Sequence, residues 1–314
     1  MTSIHWKHKH LFDVSSLSIG DIDTIITLAK YFFVNNRAGH KGYSLLQGKN
    51  IILFFSENST RTRLSFEIAA QRLGATTHFL QSAGSSMEKG ETLSDTMRTL
   101  MAMRPDACVI RSQYSGSAQY CSSFADVPII NAGDGWHAHP TQALLDLFIL
   151  HQAWKGEYKG KTITIVGDVK HSRVARSNIH LLQKLGIRVR ICAPRTLSFV
   201  QGTFHGVEVY TDILKSVEGV DAIMGLRLQR ERQAGGLIPK EYPSCYCITR
   251  NVLEHASPHV LLLHPGPVNP NIDIASDILG DAVESRIEEQ VEAGVAVRMA
   301  LLYLFCVPHA KLLY

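Results

Sequence analysis

The sequence predicts an α/β protein of two domains, each a parallel sheet flanked by helices, with a C-terminal helix that returns to the first domain. Three observations carry that expectation. The chain has 314 residues, enough for two domains at roughly 100 to 200 residues each. Short, continuous apolar runs alternate with helical patterns along nearly its whole length, as in parallel sheets wrapped by helices. One polar break bounded by glycines, Gly156-Glu157-Tyr158-Lys159-Gly160, interrupts the alternation, which then starts again.

The first helix begins after Ser18. Ser18 and Asp21 have the spacing of a capping box, and Ile19, Ile22, Ile26, Ala29 and Phe33 recur at near-helical intervals. Residues 49–55 end in Ile51-Ile52-Leu53-Phe54-Phe55, a run suited to a strand buried on both faces. A helix over 61–73 follows directly, then a strand at 77–80, a helix at 91–101, strands at 107–110 and 127–131, and a helix at 140–152. Beyond the break, a strand at 161–166 and a helix at 174–185 lead to strands at 187–191, 207–210, 221–224 and 260–263. Ile287, Val291, Val295, Met299 and Leu302 mark a long helix over 285–305, with ample length to cross back. The expected division is 1–152, completed by a helix at 285–314, and 153–284.

Composition narrows the function classes. At 45% hydrophobic and 19% charged residues the chain is ordinary for a globular protein. Its formal charge is +4, with Lys and Arg spread along the chain and no polybasic run, which favours small anionic substrates over nucleic acid. Six scattered cysteines without C-x-x-C spacing point to reduced thiols. No apolar leader opens the sequence and no run of 18 apolar residues occurs, so the expected place is the cytoplasm, away from membranes. His5, His8 and His10 read as solvated histidines of a frayed terminus, and no metal or organic cofactor is expected.

The chemistry concentrates at strand ends. Ser59-Thr60-Arg61-Thr62-Arg63 joins the strand ending at Phe55 to a helix start. A helix N-terminus offers unpaired N–H groups and a partial positive charge, and hydroxyls with an arginine fork complete a phosphate cradle there. A plain N-cap followed by solvated arginines would explain one such residue but not the whole run. Arg111 closes another strand, at the edge where open α/β sheets collect ligands. Pro140 suits the first helical position, placing His139 at the cap and Gln142 one turn in. In the second half, Arg173 follows Val166-Gly167-Asp168, which lacks the G-x-G-x-x-G of a dinucleotide site. Arg227 and Gln229 lie at alternate positions and would face one side of an extended segment. In His264-Pro265-Gly266-Pro267 two prolines withdraw two donors and leave carbonyl acceptors.

Ser59-Thr60-Arg61-Thr62-Arg63 resembles the carbamoyl phosphate signature of the aspartate and ornithine transcarbamoylase family, and the likeness continues in order along almost the whole chain. It implies transfer of a carbamoyl group from carbamoyl phosphate to an amino acid amine. Phosphate would be held by Ser59, Thr60, Arg61 and Thr62, and the phosphate and carbonyl by Arg111. His139 would polarise the carbonyl, while Gln142 with the Gly266 and Pro267 carbonyls would hold the carbamoyl nitrogen. Arg173, Arg227 and Gln229 would bind the carboxylates of the second substrate; Arg63 stays structural, paired with Glu57 or Glu67. The family's ornithine enzymes show H-C-L-P and S-M-G segments that are missing here, which favours L-aspartate as acceptor. An enzyme for another acceptor such as ornithine, or a noncatalytic scaffold, are the rivals. Ser85-Ser86-Met87-Glu88-Lys89-Gly90-Glu91 alone looks like a flexible surface loop; the resemblance makes Lys89 and Ser85, with Ser86 the alternative, donations from the neighbouring subunit of a homotrimer. It also leaves room for a regulatory or dihydroorotase-like partner chain.

Overall fold

A computed structural model describes residues 3–81, 90–228, 241–280 and 285–313; Ser85, Ser86, Lys89 and Gln229 fall outside them. The chain divides into two compact units, one made of residues up to Phe148 together with those from Val291, the other running Ile149–Gln290.

In the first unit, α1 (Ile19–Arg37) starts at a reciprocal capping box: the Ser18 hydroxyl accepts from the Asp21 N–H, and the Asp21 carboxylate accepts from the Ser18 N–H. Four parallel strands follow, β1 (Asn50–Phe55), β2 (Thr76–Gln81), β3 (Ala107–Ser112) and β4 (Ile129–Asp134), in the order β2-β1-β3-β4. The apolar run of β1 is continuous because both faces are covered, and β3 is buried throughout, whereas β2 at the edge is half exposed. Helices α2 (Thr60–Arg72), α3 (Leu93–Ala102), α4 (Ser117–Ser122) and α5 (Pro140–Trp154) alternate with them. β4 extends three residues past its expected end, through Ala132-Gly133-Asp134, because a register shift on β3 carries the ladder on to Ser112 beside Asp134.

The N-terminal segment corrects the sequence expectation. It is tied down rather than frayed: Leu11 exchanges backbone hydrogen bonds with β4, and Ile4 donates to the Ala310 carbonyl. His8 bonds Asp21 at 2.9 Å with its side chain mostly covered, and His10 accepts from the Ile129 N–H and stacks on Phe12. Burial and the neighbouring Lys9 charge draw the His10 pKa down.

The second unit carries five parallel strands, β5 (Thr162–Val166), β6 (Arg188–Cys192), β7 (Glu208–Tyr210), β8 (Ala222–Gly225) and β9 (Leu261–Leu263), in the order β7-β6-β5-β8-β9. Around them lie α6 (Arg173–Lys184) and the short helices α7 (Ile213–Val217), α8 (Tyr242–Tyr246), α9 (Arg250–Glu254) and α10 (Ser276–Leu279). α4 and α7 to α10 span six residues or fewer, too short to show a helical period in sequence. The last helix, α11 (Ile287–Cys306), continues into the first unit, where Asn36 reaches Met299, Arg37 pairs with Glu292 at 2.7 Å, and Trp6 packs edge-on against Phe305. No helix among the described residues is long and apolar enough to cross a membrane.

Candidate active site

The carboxyl ends of β1, β3 and β4 lie side by side, since parallel register sets Phe55 beside Arg111 and Ser112 beside Asp134. Ligands of open α/β sheets bind at this edge. From Phe55 the chain turns through Ser56, whose N–H donates to the Arg111 carbonyl at 2.9 Å, and enters α2 at Thr60. Ser59 occupies the N-cap in an extended conformation without a side-chain capping bond, and no acidic residue sits in the first turn. Its hydroxyl and the helix dipole are therefore not neutralised by the helix itself, the condition for anion binding. Thr62 is buried and Arg61 exposed. Arg63 follows its structural expectation: it lies 3.6 Å from Glu67 and 4.5 Å over the Phe79 ring. Glu57 instead pairs with Arg111.

That pair defines the next side chain. Arg111, buried at the end of β3, donates from Nη1 to the Ala132 carbonyl at 3.1 Å and from Nη2 to Glu57 at 2.9 Å. The planar guanidinium is thus fixed between two strand ends. Beyond β4, Asp134 is a hub that sequence patterning missed. Its buried carboxylate accepts from Asn131 Nδ2, from the Ala138 N–H at 3.1 Å and from the Gly116 N–H at 2.6 Å, folding 131–138 into a compact turn. The turn delivers His139, 4% exposed, to the head of α5, where its carbonyl accepts from the Gln142 and Ala143 N–H groups. Gln142 sits one turn in, on the same end of the helix. Ser59, Thr60, Arg61, Thr62, Arg111, His139 and Gln142 thereby gather at one edge of one sheet.

The second unit builds a separate cluster at its own carboxyl edge, where β5, β8 and β9 end at Val166, Gly225 and Leu263. Gly167 has φ +127°, and a Cβ there would sit 2.8 Å from the Leu226 carbonyl, so only glycine lets these strand ends approach. Asp168, fully buried, bonds His171 Nδ1 at 2.8 Å, and Ser172 caps α6 by accepting from the Ala175 N–H. This presents Arg173, 5% exposed, as the first residue of α6. Arg227, half-buried, comes just after β8. The adjacent Leu228 N–H donates to Asp273 at 3.2 Å, and the same carboxylate accepts from the Asn269 N–H at 2.8 Å and lies 3.5 Å from His264 Nε2. Asp273 thus joins the Arg227 segment to the His264-Pro265-Gly266-Pro267 loop, a link visible only in three dimensions. In that loop both N–H groups are used internally: His264 donates to Gln290, and Gly266 to the His264 ring at 2.8 Å. The Pro265, Gly266 and Pro267 carbonyls accept no hydrogen bond among the described residues, and Gly266–Pro267 is a cis peptide. Burial and the Asp273 and Asp168 charges push the Tyr242 phenol far up, keeping it neutral.

Comparison with known proteins matches residues 9–152 to the carbamoyl-P binding domain of aspartate/ornithine carbamoyltransferases and residues 159–305 to their Asp/Orn binding domain. The chain belongs to the aspartate/ornithine carbamoyltransferase family. Among this family's members, the aspartate carbamoyltransferase catalytic subunit of Desulfovibrio desulfuricans is 50% identical over 302 residues, covering 96% of this chain and 95% of that protein. The subunit from Lawsonia intracellularis is 47% identical, over 96% of each. Of solved structures, aspartate transcarbamoylase from Trypanosoma cruzi in complex with carbamoyl phosphate and aspartate superposes with TM-score 0.86 at 30% identity over 95% of each chain. Ornithine carbamoyltransferase from Pyrococcus furiosus gives 0.85 at 26% identity, covering 96% of this chain and 98% of that one. The carbamoyltransferase fold is therefore shared by enzymes for different acceptors, and the acceptor has to be argued from the site.

Proposed function

We propose that this chain is the catalytic subunit of an aspartate carbamoyltransferase, which moves the carbamoyl group of carbamoyl phosphate to the amino group of L-aspartate and releases phosphate and N-carbamoyl-L-aspartate. The step belongs to de novo pyrimidine biosynthesis. One observation carries the proposal: a single chain presents two unlike strand-edge clusters. The first has an unneutralised helix N-terminus with Arg61, Arg111 and His139, suited to a phosphorylated carbonyl. The second has two arginines, Arg173 and Arg227, which match the two carboxylates of a dicarboxylic amino acid better than the cationic side chain of ornithine. The residues up to 152 with the helix at 285–314 take carbamoyl phosphate, and 153–284 take aspartate.

The neutral amine attacks the carbamoyl carbon, a C–N bond forms, and the carbonyl oxygen takes up negative charge. Thr62, Arg111 and His139 donate to that oxygen, and fixed donors of this kind typically supply 100-fold to 1000-fold each. Collapse breaks the bond to the phosphate oxygen; the phosphate takes the amine proton as it leaves and departs as the hydrogen phosphate dianion, which Arg61 stabilises. Gln142 and the free carbonyls of Gly266 and Pro267 hold the carbamoyl NH2. Lys89 and Ser85 complete the site from the neighbouring subunit of a homotrimer. The exposed apolar Leu64 and Ile68 on α2, with Phe79 on the edge strand β2, support a surface that is covered in an assembly. The six free thiols agree with the reducing cytoplasm.

Purified protein supplied with carbamoyl phosphate and either L-aspartate or L-ornithine, with product identified by mass, decides the acceptor. Turnover with aspartate and not ornithine is expected; the reverse would overturn the assignment, and no turnover with any amine would favour a scaffold. Sharing of sites is tested by mixing inactive Lys89→Ala and Arg61→Ala protein under subunit exchange. Recovered activity is expected, and none despite exchange would place the site within one chain.

A further inference from the structure

A buried charged network lies behind the first turn of α5, and the chemistry above makes no use of it. Gln142 donates from Nε2 to the Asp146 carboxylate, one helical turn along, at 2.9 Å, and its Oε1 accepts no hydrogen bond among the described residues. Asp146 has no exposed surface. From α11, Arg298 donates to the Gly294 carbonyl at 3.0 Å and to Thr141 Oγ1 at 3.4 Å, and its guanidinium lies 5.1 Å over the Phe66 ring of α2. Burial draws this guanidinium down to about 10 and the Asp146 charge opposes the fall, so it stays cationic at neutral pH. Its Nε finds no hydrogen-bond acceptor among the described residues. Gly294 is shaped to it, since a Cβ there would sit 2.5 Å from Arg298 Nη1.

Burying a charge with one N–H unmatched is unfavourable, and well-packed apolar residues in its place are often as stable or more so. What the network produces is orientation. An ionised carboxylate offers only acceptors, so the Gln142 carboxamide must turn its NH2 inward and its carbonyl outward. The nearby Arg298 cation favours the charged carboxylate, whereas a neutral acid could donate to Oε1 and reverse the amide. We infer that Asp146 and Arg298 are positioning residues that lock Gln142 with Oε1 free to accept from the carbamoyl NH2, so that the site distinguishes an amino group from a methyl of the same size. The inference rests on carbamoyl phosphate being the ligand of this half of the molecule.

Phosphonoacetamide and phosphonoacetone are stable probes that differ only in NH2 against CH3. Their affinities are measured by titration calorimetry on the full-length protein, wild type and with Asp146→Asn or Arg298→Met. An asparagine offers Gln142 a donor as readily as an acceptor, so the amide is no longer held one way. The preference for the amide over the ketone should fall about tenfold in both variants, the size of one good hydrogen bond, while phosphonoacetone binding stays within about twofold. Equal losses for both probes, or an unchanged preference, would overturn the inference and leave the network structural. If Arg298→Met does not fold, Asp146→Asn, which keeps size and shape, decides alone. No preference in the wild-type protein would remove the carbamoyl reading itself, a result distinct from a preference that the variants fail to change.

Discussion

The two strand-edge clusters are built by different means. In the first unit the candidate ligand groups come in contiguous stretches, Ser59 to Thr62 at one helix start and His139 to Gln142 at another, and helix ends themselves can supply donors. In the second unit single arginines stand far apart in sequence, and buried carboxylates hold their segments in place: Asp168 beside the start of α6, Asp273 between Leu228 and Asn269. A phosphate can be met by backbone and dipole together, so one turn of helix nearly suffices. Two carboxylates flanking an amine need separately placed cations, and placement then falls to the scaffold.

Four substitutions sharpen that contrast, from the largest expected effect to the smallest. Arg61→Ala should lower kcat/KM by about 1000-fold with an unchanged circular dichroism spectrum, because the exposed side chain supports ligand and not core. Arg227→Ala should raise the KM for aspartate by about 100-fold and leave that for carbamoyl phosphate nearly alone; a loss on the phosphate side would mean the duties of the clusters are reversed. Asp273→Asn removes no ligand group, yet it weakens the hold on both Leu228 and Asn269, and steady-state kinetics should show the aspartate KM rising about tenfold. Asp21→Asn lies outside both clusters and should cost about 1 kcal/mol in urea denaturation at pH 7 without a kinetic effect. Burial raises the Asp21 pKa, but hydrogen bonds from Ser18 and His8 outweigh it and hold the carboxyl below its ordinary value. The contribution is therefore present above the unfolded pKa and lost as pH falls through the depressed folded one, so wild type and variant should converge in acid.

The same contrast explains what was legible in the sequence. Alternating apolar runs gave both parallel sheets, and Ser59-Thr60-Arg61-Thr62-Arg63 stood out because the motif is contiguous; the fold puts it at the start of α2. The charged supports were not readable. Arg63 had Glu57 or Glu67 within reach on spacing alone; the fold gives it Glu67 and sends Glu57 to Arg111, a partner 54 residues away. Nothing in the sequence ties Arg298 to Thr141, which it meets across 157 residues. His8 and His10 looked solvated until Asp21 and β4 were brought against them. Short helices such as α8 and α9, five residues each, carry no period to detect.

The proposed reaction requires the two clusters to serve its two substrates. The most direct measurement is titration of N-(phosphonacetyl)-L-aspartate and of phosphonoacetamide into wild-type, Arg61→Ala and Arg227→Ala protein. The bisubstrate compound should lose at least about tenfold in affinity with either substitution, whereas phosphonoacetamide should lose it only with Arg61→Ala. Equal loss of phosphonoacetamide binding in Arg227→Ala, or undiminished binding of the bisubstrate compound in that variant, would contradict the division of labour between the two units.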